Sequence, residues 1–324
     1  MAGLSVDRPS EVVMAARVAR QFYLEGVSKV DIADRLGISR FRVARLLDSA
    51  RDAGMVRIEI GLPGGSLDAG LSAELCSAFG LNHAFVFDFP DDDEQALRYR
   101  LGEAVGQALM DIIMPGDVLG MSWSRTLGGL AASLTQIPPC PIVQLTGAVP
   151  PPDGRDLLDL VRSVARVGGG SAHVFYAPMI LDDAQTAEAM RRQGDIAGAF
   201  ALVPSVTIAV VAIGAWAPGL STVYDAVTPD ERDALASLGV CAEVAGVFLG
   251  QDGKSVATPL DRRMIVTPGP ALERIPFVLA VAYGIAKSPA VSAAIRGGLV
   301  HGLVTHARLA RTLLSLAGQR DGGP

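Results

Sequence analysis

Lysine is scarce in this 324-residue chain: Lys29, Lys254 and Lys287 stand against 25 arginines. Lys287 lies in LAVAYGIAKSPAVSAAIRGG (279–298), where an apolar run ends at Gly284 and Ser288 and Pro289 open a helix. A lysine in a strand-to-helix loop can hold an anion as a point charge or, once desolvated, attack a carbonyl. Two further segments have the same form. In GMSWSRTLGG (120–129), Ser122, Ser124, Arg125 and Thr126 follow a short apolar strand, and hydroxyls, helix-end N–H groups and one guanidinium suit a phosphate or the oxygens of a sugar. In CAEVAGVFLGQDG (241–253), Glu243 interrupts an apolar strand, where a carboxylate needs either a protein donor or a ligand hydroxyl. Tyr224 and Asp225, and Gln144 with Gly147 of VQLTGAV, are weaker candidates that ordinary turn chemistry also explains. The plainer alternatives for the first two segments are a solvated loop lysine and a capped helix with a surface arginine.

Residues 29–51, KVDIADRLGISRFRVARLLDSAR, carry a different chemistry. Val30, Ala33 and Leu36 recur at helical spacing, Gly37 and Ile38 break the run, and Ser39 can cap a second helix. That helix places Val43, Leu46, Leu47 and Ala50 on one face and its arginines largely elsewhere. Ala33 is small enough for a close helix crossing, and Gly37 suits a turn with positive φ. The Ala–Gly–Val–Leu spacing at 33, 37, 43 and 46 is that of a helix-turn-helix, whose second helix leads into the major groove of duplex DNA. Ser39, Arg40, Phe41, Arg42 and Arg45 are then the expected contacts to bases and phosphates. An αα-hairpin in an ordinary helical domain is the alternative.

The elements that must position these groups follow from composition and pattern. Half of the residues are apolar and 19% are charged, so a globular chain of one or two domains is expected. The net charge of −6 argues against non-specific coating of nucleic acid, but its distribution is uneven. Residues 1–60 hold ten Lys/Arg against eight Asp/Glu, and the remainder 18 against 26. A mildly basic head on an acidic body suits local contact with DNA. Cys76, Cys140, Cys241 and the four histidines lack metal-ligand spacing, so no metal and no cofactor are expected, and the thiols read as buried in a reducing cytoplasm. No secretory leader shows at the N-terminus. The longest apolar stretch, 203–216, is too short and too interrupted to cross a bilayer, so a soluble cytoplasmic protein is expected.

A first helix over 10–25, capped by Ser10 and turning Val13, Ala16, Ala19 or Arg20 and Tyr23 or Leu24 inward, would brace the helix-turn-helix. Alternation of Val56, Ile58 and Ile60 with Arg57 and Glu59 predicts a strand, making the head winged and bringing Arg57 towards phosphate. Pro63 to Gly65 close the head, giving domains of 1–62 and 63–324. A helix over 66–79, with Leu67, Leu71, Leu75 and Phe79 in line, would link head to body, pair with its counterpart in another subunit, or both. Strands expected at 83–89, 118–121, 142–145, 174–176, 206–213, 243–249, 264–266, 277–282 and 299–304 alternate with helices, among them 94–114 and 124–137. This is an α/β fold with a largely parallel sheet, whose ligands sit beyond the carboxyl ends of the strands.

Taken together, DIADRLGISRFRVARLLDSARDAGMVRIEI, GMSWSRTL, VQLTGAV, VAIGAW, CAEVAGVFLGQDGK and KSPAVSAAIRGGLVHGLVT resemble, in that order and over nearly everything after residue 10, the SorC-type sugar-binding transcriptional regulators of the SorC/DeoR family. The resemblance implies an operator-binding head and a body of the ribose-5-phosphate isomerase and CoA-transferase type that binds a sugar or sugar phosphate. It further implies effector contacts from the Ser122–Thr126 loop, Gly147, Glu243 and Lys287. Two positions depart from the family pattern: AYGIAK puts Tyr283 where a pair of glycines is usual, and LVTH puts His306 in place of aspartate.

The expected protein is therefore a homo-oligomeric transcription factor whose operator affinity is set by a carbohydrate effector, with no catalytic residues and no membrane partner. Two rivals compete with it: a sugar-phosphate isomerase or lyase with a DNA-binding appendage, using Glu243 and Lys287 as base and electrophile, and a DNA-binding scaffold whose body only oligomerises.

Overall fold

The computed structural model describes residues 9–23, 25–56, 65–89, 94–149 and 157–321. The chain separates into two compact units, Met1–Gly61 and Leu62–Pro324. In the first, α1 (Pro9–Tyr23), α2 (Lys29–Leu36) and α3 (Arg40–Asp52) follow one another closely. Ser28 caps α2 by accepting from the Asp31 N–H, and Ser39 caps α3 by accepting from the Arg42 N–H. Between them Gly37 takes φ 62°, and Ile38 N–H reaches back to the Ala33 carbonyl, so the turn ends α2 and starts α3 without an uncapped end. Val43, Leu46, Leu47 and Ala50 of α3 bury against Ile32 and Ala33 of α2 and Ala15, Val18 and Ala19 of α1.

Three details differ from the sequence reading. The inward stripe of α1 is Ala15, Val18 and Ala19, with Met14 and Phe22 packed at its edge, whereas Val13 and Ala16 face solvent. In α2 Ile32 joins the expected Ala33 in the core, and Val30 is exposed. Both stripes rest on small residues, which leaves the phase of a short helix poorly marked. Pro9 takes a first helical position, so Ser10 lies inside α1 rather than capping it. The expected wing at 56–60, with Arg57, falls outside the described residues beyond Val56.

The second unit runs β1 (Ser66–Leu67), α4 (Ala69–Phe79), β2 (His83–Asp88), α5 (Glu94–Ile112), β3 (Leu119–Met121), α6 (Leu130–Ser133), β4 (Ile142–Gln144), α7 (Leu157–Gly168), β5 (Ala172–His173), α8 (Ala184–Arg191), α9 (Gly194–Leu202) and β6 (Ile208–Ala215). It continues through α10 (Thr222–Ala226), α11 (Pro229–Ser237), β7 (Ala242–Val244), β8 (Val247–Leu249), α12 (Gly269–Leu272), β9 (Phe277–Val281), α13 (Ser288–Arg296), β10 (Gly302–His306) and α14 (Ala307–Asp321). The main sheet has the order β1-β2-β10-β9-β6-β3-β4-β5 and is parallel apart from β1. Neighbouring residues of its strands serve opposite cores: Ala209, Val211 and Ile213 of β6 join α4, α13 and α14, while Ile208 and Val210 join α5 and α7. That double burial is why the strands read as continuous apolar runs.

Several expected elements shift. The helix at 66–79 begins only at Ala69, after Asp68 caps it, and it packs on β2 and α14 with Leu75 in the core. The strand expected at 243–249 is a hairpin of β7 and β8, and the one at 264–266 is reduced to isolated bridges. The helix expected over 124–137 is a 3₁₀ turn, Arg125–Gly129, followed by the four residues of α6. Packing explains this last change. Gly102 and Gly106 of α5 let that turn and α6 approach so closely that a Cβ on Gly102 would lie 2.6 Å from the Thr126 carbonyl oxygen and 2.7 Å from the Gly129 nitrogen. Backbone cannot give way as a flexible side chain can. Gly102→Ala is accordingly expected to cost about 1–3 kcal/mol of body stability, as overpacking does, measured by denaturant unfolding.

Candidate functional site

The chain order places a crossing point in the sheet. From β3 the strands progress outward through β4 to β5; β6 then returns beside β3 on its other flank, and β9 and β10 continue in the opposite direction. Loops leaving the carboxyl ends of β3 and β6 therefore diverge and leave a crevice between them. A cleft of about 490 Å³, part of it open to solvent, occupies this place. Ser124, Arg125 and Thr126 line it from the loop after β3, Ser221 from the turn opening α10, Glu243 from β7, and Tyr283 and Lys287 from the loop after β9.

The buried charges of the cleft are held by backbone. Ala245 and Gly246 form the two-residue turn between β7 and β8 with φ of 51° and 85°, the left-handed pair that a tight hairpin demands. This turn aims the Gly246 N–H at Glu243 Oε1, 2.6 Å away. Ser221 Oγ donates a longer bond, 3.4 Å, to Oε2, and Gly214 leaves room for that oxygen, since a Cβ there would stand 2.9 Å from it. Glu243 is 8% exposed, and burial pushes its carboxyl above the ordinary range against the opposing pull of the Gly246 N–H and Lys287.

Lys287 is 7% exposed. Its Nζ donates to the Ile213 carbonyl oxygen at 3.1 Å and sits 4.6 Å from the centre of the Tyr283 ring. Burial lowers its pKa to about 8; Glu243 and Glu94 oppose that fall, while Arg125 and Arg98 add to it. Tyr283 in turn donates its hydroxyl to Glu94 Oε1 at 3.2 Å, the same oxygen that Arg98 holds at 3.0 Å. Tyr283 is thus a wall of the cleft, locked by an ion pair on α5. Arg125 stands at this wall as a guanidinium without an ion-pair partner among the described residues.

Of the residues singled out in the sequence, Ser124, Arg125, Thr126, Glu243 and Lys287 share the cleft. Ser124 Oγ caps the 3₁₀ turn by accepting from the Thr126 N–H at 3.1 Å. Ser122 is fully buried beneath the loop, with a hydroxyl that has no hydrogen-bond partner among the described residues. Gly147 does not line the cleft. Its N–H donates to the Ile265 carbonyl, and its missing side chain admits the backbone at Ala177 and Pro178. The VQLTGAV segment acts on the cleft indirectly, through Thr146 Oγ1, which accepts from the Trp123 N–H at 2.8 Å. Gln144 is engaged with the Thr146 carbonyl and the Phe175 N–H, Asp225 accepts from the Gly219 N–H, and Tyr224 packs between Trp216 and Arg232. These three are structural. The sequence reading missed Ser221, which the helix-capping pattern S-T-V-Y could have marked, and the Glu94–Arg98 pair, whose link to the distant Tyr283 left no local signal. His306 closes β10 outside the cleft, its Nδ1 buried with no hydrogen-bond partner among the described residues and its pKa lowered by burial to about 4.

In the N-terminal unit, Arg40, Phe41, Arg42 and Arg45 are all exposed at the leading end of α3, opposite the buried Val43, Leu46 and Leu47. None of the three guanidinium groups makes an ion pair among the described residues; the salt bridge of α3, Asp48–Arg51, lies at its far end. Ser39 is engaged as the helix cap. No group of His, Cys, Asp and Glu side chains that could hold a metal occurs among the described residues, and no described helix is long and apolar enough to cross a membrane.

Comparison with known proteins places these two units in one family. Residues 66–315 match the Sugar-bind family, described as "Putative sugar-binding domain". The transcriptional regulator LsrR of Klebsiella pneumoniae subsp. pneumoniae is 32% identical over 98% of this chain and 96% of its own length. The transcriptional regulator YjhU of Escherichia coli K12, itself uncharacterized, is 26% identical over 91% of this chain and 92% of its own. In fold, the chain is similar to the full-length sorbitol operon regulator SorC from Klebsiella pneumoniae, with a TM-score of 0.69 over 94% of this chain and 99% of that one at 22% identity. The chain belongs to the SorC-type sugar-binding transcriptional regulators.

Proposed function

We propose that this regulator binds operator DNA through Ser39, Arg40, Phe41, Arg42 and Arg45 of the head and a sugar phosphate through Ser124, Arg125, Thr126, Glu243 and Lys287 of the body, with the buried Ser122 beneath their loop and outside the lining of the cleft, and with domains parting near residues 62 and 63. The observation that carries the effector half is the convergence of Arg125 and Lys287 with one buried carboxylate and the hydroxyls of Ser124, Thr126 and Ser221 at the sheet's crossing point. The cations suit a phosphate, and Glu243 and Ser221 suit the hydroxyls of a carbohydrate. Gly147 belongs to this reading only through the backbone it packs.

Binding rather than turnover is the reading we adopt for the cleft, whose described lining holds a single carboxylate, Glu243, already engaged by the Gly246 N–H and the Ser221 hydroxyl. A single head makes few base contacts, so two or more copies on a near-palindromic operator are expected, in the cytoplasm where that DNA lies. The effector controls the operator only if it binds the competing arrangements of the heads unequally. A thermal-shift screen of sugars against their phosphates tests the effector half: one sugar phosphate should raise the melting temperature and its unphosphorylated form should not.

The pKa of Lys287 adds a dependence on pH. An anion needs the protonated amine, which burial lowers to about 8 in the free protein against Glu243 and Glu94 and together with Arg125 and Arg98. The phosphate is already a dianion above pH 7. Affinity measured by calorimetry should thus be flat near pH 7 and fall by up to tenfold per unit above about pH 8; a rise over that interval would remove Lys287 from the phosphate.

A further inference from the structure

Phe41 is 82% exposed, more than any other large apolar side chain among the described residues. It stands in the first turn of α3, one residue from both Arg40 and Arg42 and one helical turn from Arg45, on the face opposite the buried stripe. The ring gives the head no core packing, since Val43, Leu46 and Leu47 fill that role. Its covering partner has to satisfy the cations around it. An apolar protein surface would strip water from the guanidinium groups and offer nothing in return, whereas the phosphates of a duplex meet them directly. In the major groove a phenyl ring has no hydrogen bond to give or take, so the one base feature it can read is the 5-methyl group of thymine.

We propose that Phe41 reads a thymine methyl in each operator half-site, fixing a T·A pair beside the bases that the arginines contact. The inference rests on the operator-binding reading above. It assigns the head two kinds of readout: polar, from Arg42 and Arg45, and apolar, from Phe41. The apolar contact leaves the phosphate contacts untouched, so its removal relaxes sequence preference at one position while the dependence of binding on salt stays the same.

The test uses the full chain to select duplexes from a random library, then replaces each thymine of the selected site by deoxyuridine, which deletes the methyl group alone. At one thymine per half-site the replacement should weaken the wild-type protein about three- to fivefold, the size of one buried methyl. The Phe41→Ala protein should bind the thymine and uracil duplexes alike. The comparison of the two duplexes with the wild-type chain needs no variant and so does not depend on how the variant folds. If no thymine shows the effect with the wild type, or if the effect survives in Phe41→Ala, the inference is wrong although the operator reading stands. A chain that selects no duplex at all overturns both.

Discussion

Replacing Arg42 and Arg45 together by alanine is expected to lower operator affinity by roughly 10²–10⁴-fold, while the body melts unchanged. The magnitude follows from two contacts of about 1–3 kcal/mol each if both arginines meet base edges or closely held phosphates. The selectivity of the effect follows from the structure. Both side chains are exposed, neither takes part in an ion pair among the described residues, and the core of the head lies on the other face of α3. Alanine also favours the helix, so α3 itself should persist. Fluorescence anisotropy over a range of salt concentrations separates the two roles. An arginine on phosphate lowers the salt slope by about one when removed, and one on a base lowers affinity mainly for the specific site. A double variant that retains full operator affinity would show that another surface of the chain grips the DNA.

Replacing Lys287 by methionine should abolish the stabilisation of the body by its effector. Methionine keeps the length of the apolar stem beneath the Tyr283 ring and removes only the charge. Truncating one partner of a buried, hydrogen-bonded charge pair costs about 2–5 kcal/mol of binding, or roughly 30- to several-thousand-fold in affinity. The unliganded fold should tolerate the change, because burial already pushes the Glu243 carboxyl towards its neutral form and loss of the nearby cation pushes it further the same way. Operator binding without effector should be unaltered. Equal ligand-induced melting shifts in the variant and the wild type would place the phosphate elsewhere.

Much of this arrangement was readable from the chain because its signals are local. Gly37 and Ser39 each fix one end of a helix, and Ala33, Val43 and Leu46 each bury where the turn brings them. Ser124, Arg125 and Lys287 were legible for a related reason: each sits where a strand gives way to a helical turn, and parallel sheets collect such points at one edge. The unreadable parts depend on partners distant in sequence. Nothing near Glu94 announces that Tyr283 will donate to it, and the shortening of the helix after Ser124 is dictated by Gly102 on α5. Gly147 shows the reverse case, in which a glycine that suggests ligand approach is instead needed for the Ala177–Pro178 backbone.

Operator affinity measured with and without the sugar phosphate that stabilises the body most tests the coupling of the two units directly. A change of roughly 5–150-fold is expected in the wild-type chain, the usual span of allosteric coupling. No change is expected in Lys287→Met, and no conversion of the sugar phosphate in either protein. Operator affinity that stays constant while the wild-type chain turns that sugar phosphate over would contradict this coupling.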